Sequence, residues 1–207
     1  MLLWQKMSVC MFFLFSLFIT GCYTPSTIPP PTTTIMKPSV KIPEKKLDFY
    51  LGRDIKNQLE RCFVRDWKYI VVHHSASDSG SAEEFDKFHR ETRGWQNGLG
   101  YHFVIGNGNG SGDGEIEMGD RWKKQIDGAH AGIKEYNHYG IGICLVGNFN
   151  NNYPTNAQMK SLSALVEYLQ DRCHITPDNV LMHRHCKQTE CPGRNFPYYK
   201  LLANTFR

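Results

Sequence analysis

Past residue 67 the apolar positions come in short blocks whose spacing switches between two periods. The β-branched run KYIVVHH, Lys68 to His74, is too short for a helix and predicts a buried strand. Further strands are predicted over YHFVIG (Tyr101 to Gly106), EIEM (Glu115 to Met118), GIGICLVG (Gly140 to Gly147) and Asn179 to His183. Between the first two, Ser81-Ala82-Glu83-Glu84 fits a capping box, with Phe85 and Phe88 at helical spacing behind it. Thr155 and Gln158 suggest a second box. The stripe Met159, Leu162, Leu165, Val166 and Leu169 then predicts an amphipathic helix running to about Arg172. Tyr198 to Thr205 reads as a closing helix. Strands and helices interleave, so the expected fold class is α/β, a single domain with a central mixed β-sheet flanked by helices.

The N-terminal part has a different pattern. After Lys6 an apolar run extends from Val9 to Ile19 and ends in Thr20-Gly21-Cys22. A membrane-crossing helix needs roughly 20 apolar residues, whereas the apolar region of an export signal needs about 7–15. Residues 1–21 are therefore expected to be a signal peptide. Ile19-Thr20-Gly21-Cys22 resembles the bacterial lipobox, which implies lipidation of Cys22 as the mature N-terminus. Residues 22–47 hold six of the ten prolines of the chain together with many threonines. Such sequence packs no core and favours extended backbone of about 3.1 Å per residue, a tether of roughly 70 Å. The folded domain is then expected over residues 48–207. The implied location is outside the cytoplasmic membrane. Tyr23, rather than aspartate, follows the cysteine, which favours an outer membrane with the domain facing the periplasm.

Composition adds little to this picture. The chain has 207 residues with 41% hydrophobic, 13% aromatic and 21% charged side chains, an ordinary globular mix. A net charge of +4 fits an anionic polymer as well as a plain soluble surface. With no long single-sign block and no basic-aromatic repeat, no nucleic-acid partner is expected. The glycine-rich GNGNGSGDG, Gly106 to Gly114, is neither a dinucleotide fingerprint nor a calcium loop. No helix follows it, and Met118 stands where such a loop requires a glutamate. It is expected to be a hairpin tip.

The chemistry concentrates in MHRHCKQTECPG, Met182 to Gly193. His183, His185, Cys186 and Cys191 could hold a structural zinc locally, or Cys186 and Cys191 could form a disulfide. Alternatively His73, at the end of the first strand, joins His183 and Cys191 in a three-ligand set with one position left for water. Adjacent strand residues face opposite sides, so only one of His73 and His74 can enter such a site. Residue types alone leave structural and catalytic zinc equally open. Cys144 reads as a small buried hydrophobe, and the pairing of Cys62, Cys173 and Cys186 stays undetermined.

From Trp67 to Arg207 the chain resembles the zinc N-acetylmuramoyl-L-alanine amidases of the peptidoglycan-recognition-protein and phage-lysozyme-type superfamily. The resemblance rests on four blocks in order: IVVHHSAS, GYHFVIG, GAHAGIKEYNHYGIGICLVGNF and HRHCKQTECPG. It implies Zn2+ held by His73, His183 and Cys191, with Tyr101 and Thr189 as catalytic residues. His102, His130 and Asn137 fall in blocks that line the family's substrate groove. Each keeps a plain alternative: packing or a structural hydrogen bond for His102, a backbone-oriented loop histidine for His130, a turn cap for Asn137. His89, His138, His174 and His185 read as surface or supporting residues. Two departures stand out. WQNGLGY, Trp95 to Tyr101, is a residue longer than the usual approach to the tyrosine and lacks its aspartate. Met182-His183-Arg184-His185 replaces G-H-R-D. The implied activity is hydrolysis of the amide between N-acetylmuramic acid and L-alanine of the stem peptide, in peptidoglycan or muropeptides, by a monomer. The alternative is a non-catalytic wall-binding lipoprotein, although binding-only members of the superfamily lack the cysteine that this chain keeps.

Overall fold

The computed structural model describes residues 49–205. The expected leader, the expected lipidation site Cys22 and the Pro/Thr-rich segment expected to be a tether lie outside the described residues. Helix α1 (Arg53–Arg61) leads into strand β1 (Tyr69–His74), followed by α2 (Ala82–Glu91), β2 (Phe103–Ile105) and β3 (Ile116–Met118). Next come the single turn α3 (Asp120–Lys123), then α4 (Lys134–Tyr139), β4 (Gly140–Leu145) and the long α5 (Asn156–Cys173). Strand β5 (Val180–Met182), the turn α6 (His183–Cys186) and α7 (Tyr198–Thr205) complete the order. Among the described residues no helix is long and apolar enough to cross a membrane.

The five strands form one mixed sheet in the order β3-β2-β4-β1-β5. Only β2 and β3 run antiparallel, joined by the glycine-rich loop, so that segment is the hairpin connection its composition predicts. The remaining pairs are parallel, and both central strands are buried along nearly their whole length, as a sheet covered on two faces requires. Register then positions the chemistry. Val72 pairs with Met182 and His73 with Cys144, so His73 and His183 emerge side by side at the carboxyl ends of β1 and β5. In open α/β sheets that end is where ligands bind.

Helix α5 covers one face with the predicted stripe: Leu162, Leu165, Val166 and Leu169 are fully buried. Its capping box is complete, with Thr155 Oγ1 accepting from Gln158 N and Gln158 Oε1 accepting from Thr155 N. The Gln158 side chain also donates to the strand-end carbonyls of Ile105 (3.1 Å) and Val146 (2.8 Å). Ser81 caps α2, accepting from Glu84 N at 3.1 Å, which is the Ser81 half of the predicted capping box. Trp67, Trp122, Phe103 and Phe149 supply the large buried rings of the core.

Candidate metal centre

Strand alternation separates the two adjacent histidines. His74 turns into the core, where its Nδ1 accepts from Phe149 N at 3.1 Å. His73 faces the opposite side, and its ring lies 4.5 Å from that of His183, centroid to centroid. His73 Nδ1 is 3.7 Å from Cys191 Sγ. Among the described residues His73, His183 and Cys191 are the group that could hold a metal ion, their ligand atoms all within 4.8 Å of one another. They come from β1, α6 and the loop after α6; His73 lies more than a hundred residues before the other two in sequence but is brought beside them by the β1–β5 register.

Each imidazole is anchored at its far nitrogen. His183 Nε2 lies 3.1 Å from the carbonyl oxygen of Ala131. A carbonyl only accepts, so this nitrogen carries the proton and Nδ1 keeps its lone pair. His73 Nε2 lies 2.9 Å from His130 Nδ1, and His130 Nε2 lies 3.1 Å from the Gly140 carbonyl. Burial, with the neighbouring rings of His130 and His183 second, holds the basicity of His73 far below the usual imidazole value. Burial drives His130 down to about 3 and lowers His183 as well. The imidazoles are therefore neutral, the form that coordinates metals.

Cys191 is held between the two halves of the site. Its Sγ accepts from His74 N at 3.4 Å, its carbonyl accepts from Arg184 N at 2.9 Å, and its own N–H donates to Thr189 Oγ1 at 3.3 Å. The Arg184 guanidinium also donates to the Gly193 carbonyl. Burial pushes the thiol up to about 11, against the opposing pull of the His74 N–H and the Arg184 charge. Two neutral nitrogens with free lone pairs and one sulfur make a donor set suited to a borderline-soft divalent cation.

Tyr101 flanks this cluster, its ring 5.3 Å from His73. Burial, and next the charges that Cys144 and Cys191 would carry as thiolates, hold its phenol well above its usual range. It therefore stays a hydrogen-bond donor at any working pH. Beside it opens a cleft of about 390 Å³ walled by Ser75, Ser77, Glu84, Phe88 and His89. His89 does not sit loose on the surface. Its ring stacks on Trp95 at 4.6 Å, and its Nδ1 accepts from Gly100 N at 3.2 Å.

The three residues placed by resemblance in a substrate groove are each engaged by main chain or by a neighbouring ring. His102 is fully buried, its Nδ1 accepting from Gly142 N (2.9 Å) and its Nε2 facing the Ile126 carbonyl (3.2 Å). Both nitrogens are consumed by main chain, so this ring lies beneath the site and offers nothing to a ligand. His130 is 8% exposed, with both nitrogens occupied as described. Asn137 Oδ1 accepts from the main-chain N–H of both His130 (2.9 Å) and Ala131 (2.8 Å), ordering the loop behind the cluster. The local knuckle is not assembled. His185 packs edge-on against Tyr198 at 5.2 Å, Cys186 Sγ points to the Met182 carbonyl, and the described cysteines are all free thiols. Glu190 accepts from Asn150 Nδ2 at 2.8 Å on the exposed side of its loop.

Comparison with known proteins follows this geometry. A family profile described as N-acetylmuramoyl-L-alanine amidase matches residues 64–194. Peptidoglycan-recognition protein SC2 of Drosophila melanogaster is 34% identical over 136 residues, covering 61% of this chain and 68% of that protein. An N-acetylmuramoyl-L-alanine amidase of Sus scrofa is 28% identical over 137 residues, but the match spans only 21% of its length. Among solved structures, N-acetylmuramoyl-L-alanine amidase LysC of Clostridium intestinale is 36% identical with a TM-score of 0.57, covering 67% of this chain and 84% of that one. A Drosophila PGRP-LB mutant in complex with tracheal cytotoxin is 27% identical with a TM-score of 0.54, covering 66% and 81% respectively.

Proposed function

This chain belongs to the N-acetylmuramoyl-L-alanine amidase family, and from that premise we propose that it is a zinc-dependent peptidoglycan hydrolase. The bond broken is the amide between the lactyl carbonyl carbon of N-acetylmuramic acid and the nitrogen of L-alanine. Water supplies the oxygen that completes the lactyl carboxylate, and the departing nitrogen leaves as the free amine of the stem peptide. The observation that carries this reading is the convergence of His73, His183 and Cys191, with Tyr101 at its side.

An unactivated amide needs both a nucleophile and a stabilised oxyanion. When held by these three residues, a zinc ion supplies Lewis-acid polarisation of the carbonyl and lowers the pKa of water from 15.7 to about 7. The chain's own groups do the rest. Ala131 O and His130 hold the two imidazoles with their far nitrogens occupied. Tyr101, kept protonated by burial, donates to the oxygen on which charge develops. Thr189 Oγ1 already accepts from Cys191 N, which leaves its own O–H to donate to the substrate carbonyl. The cleft beside Tyr101 combines hydroxyls with an aromatic wall, a lining suited to a glycopeptide.

The proposal extends to location. The lipobox and tether argue for an exported protein anchored through lipid on Cys22, in the outer membrane facing the periplasm, with the domain free to reach the wall. Fatty-acid labelling that is lost in Cys22→Ser supports the anchor; labelling that survives removes it. For the activity, purified sacculi are incubated with the zinc-loaded chain and the products identified by mass spectrometry. Released peptides with a free L-alanyl amine are expected. Wall binding without such ends would instead favour the non-catalytic alternative, which the recognition-protein relatives keep in view.

A further inference from the structure

We propose that His130 is a positioning residue of the metal centre: it locks His73 in the tautomer that carries its proton on Nε2 and leaves Nδ1 free towards Cys191 and His183. The argument begins at a main-chain oxygen. The Gly140 carbonyl, 3.1 Å from His130 Nε2, can only accept, so His130 carries its proton there. His130 Nδ1 is then a lone pair. Facing it at 2.9 Å, His73 Nε2 must donate. The opposite arrangement would set two lone pairs against each other at one end of the relay and leave the Gly140 carbonyl without its donor. A choice made by a peptide oxygen at the start of β4 is thus transmitted through one ring to the nitrogen that meets the metal.

The ring has no freedom to choose otherwise. A Cβ on Gly128 would stand 2.3 Å from His130 Cδ2, and a Cβ on Gly142 would stand 2.4 Å from the same atom. The imidazole therefore occupies a slot that only glycine on both walls admits. This gives a physical reason for the glycines at 128 and 142 on either side of His130. With the ring 8% exposed and both nitrogens engaged, nothing remains for it to offer a substrate.

The consequence for zinc affinity rests on the function proposed above, but the tautomer itself does not. The test uses the metal-free full-length chain with 15N-labelled histidine, and two-bond 15N–1H correlations assign the protonated nitrogen of each ring. His73 and His130 are both expected to be protonated at Nε2. An Nδ1-protonated or averaging His73 would overturn the inference. Two variants separate positioning from packing. His130→Asn places an amide oxygen close to the former Nδ1 and can still accept from His73. His130→Gln reaches the Gly140 carbonyl but presents no acceptor to His73. Competition titration with a zinc chelator should show His130→Gln weakened by about 10–100-fold, the usual size for a lost outer partner, with His130→Asn recovering most of that loss. Equal losses in both variants, tracking equal losses in Tm, would reduce His130 to packing and refute the inference. Failure of the unaltered chain to bind zinc would overturn the metal reading and leave the tautomer result standing.

Discussion

His183 Nε2 and the main-chain oxygen of Ala131 meet at 3.1 Å, so the second imidazole is oriented by the residue next to the one that orients the first. Both supports hang on a single acceptor, because Asn137 Oδ1 takes the N–H of His130 and of Ala131. Asn137→Ala leaves both donors without their acceptor, which costs about 1–3 kcal/mol each where water cannot replace it. Zinc affinity and stability should fall together in that variant. Asn137→Asp, which keeps an oxygen in place, should retain most of both. Chelator competition and urea unfolding of the two variants check this, and equal behaviour of Ala and Asp would contradict it.

Tyr101→Phe removes a donor and leaves the ring against His73. If the hydroxyl serves the developing oxyanion, kcat should fall by about 10²–10³-fold with little change in KM. Steady-state assay on defined muropeptides reads this, with thermal unfolding to show that the fold is intact. A change confined to KM would place Tyr101 in binding instead.

Much of this centre was legible before the fold was known. The period-2 rule allowed only one of His73 and His74 into a shared site, residue types left a local and a cross-sheet zinc equally open, and the family resemblance singled out His73, His183 and Cys191. The supporting roles were harder to see. In sequence a histidine against a carbonyl and a histidine against a sugar look alike, and the difference lies in which nitrogens remain free. His102, set against the Ile126 carbonyl, is of this kind. Helix α1 was missed although Leu51, Ile55 and Leu59 recur at four-residue spacing, a usable signal. Helices α3, α4 and α6 span only one or two turns, too short for periodicity to register, and packing rather than propensity holds them. His89 was left between a surface and a supporting role, because the sequence does not reveal the Trp95 ring that stacks on it.

Zinc binding should release protons. Burial lifts the Cys191 thiol to about 11, whereas His73 and His183 are already neutral near pH 7. Between pH 7 and 9 one proton must leave with each ion bound, so apparent affinity should rise about tenfold per pH unit. Calorimetry in buffers of different ionisation enthalpy counts that proton directly. An affinity independent of pH over this range would mean that Cys191 is not the ligand.

Acid should destabilise the metal-free fold. His73, His102 and His130 are buried neutral, with folded values well below the unfolded one of about 6.5. For such groups the unfolded chain binds more protons, so stability is fully present above pH 6.5 and drains away as pH falls towards the folded values. Each contributes about 1.4 kcal/mol per pH unit in that window. Urea unfolding at pH 7.5 and 5.5 should show a steep loss, and a flat response would mean that these rings are not held neutral.

X-ray absorption at the zinc edge of the loaded chain addresses the central claim most directly. One sulfur at about 2.3 Å, two imidazole nitrogens at about 2.0–2.1 Å and one further light atom from solvent are expected, with the imidazole signal weakened in His73→Ala. A second sulfur, or a spectrum unchanged by His73→Ala, would mean a closed local knuckle, and the hydrolase reading would fall with it.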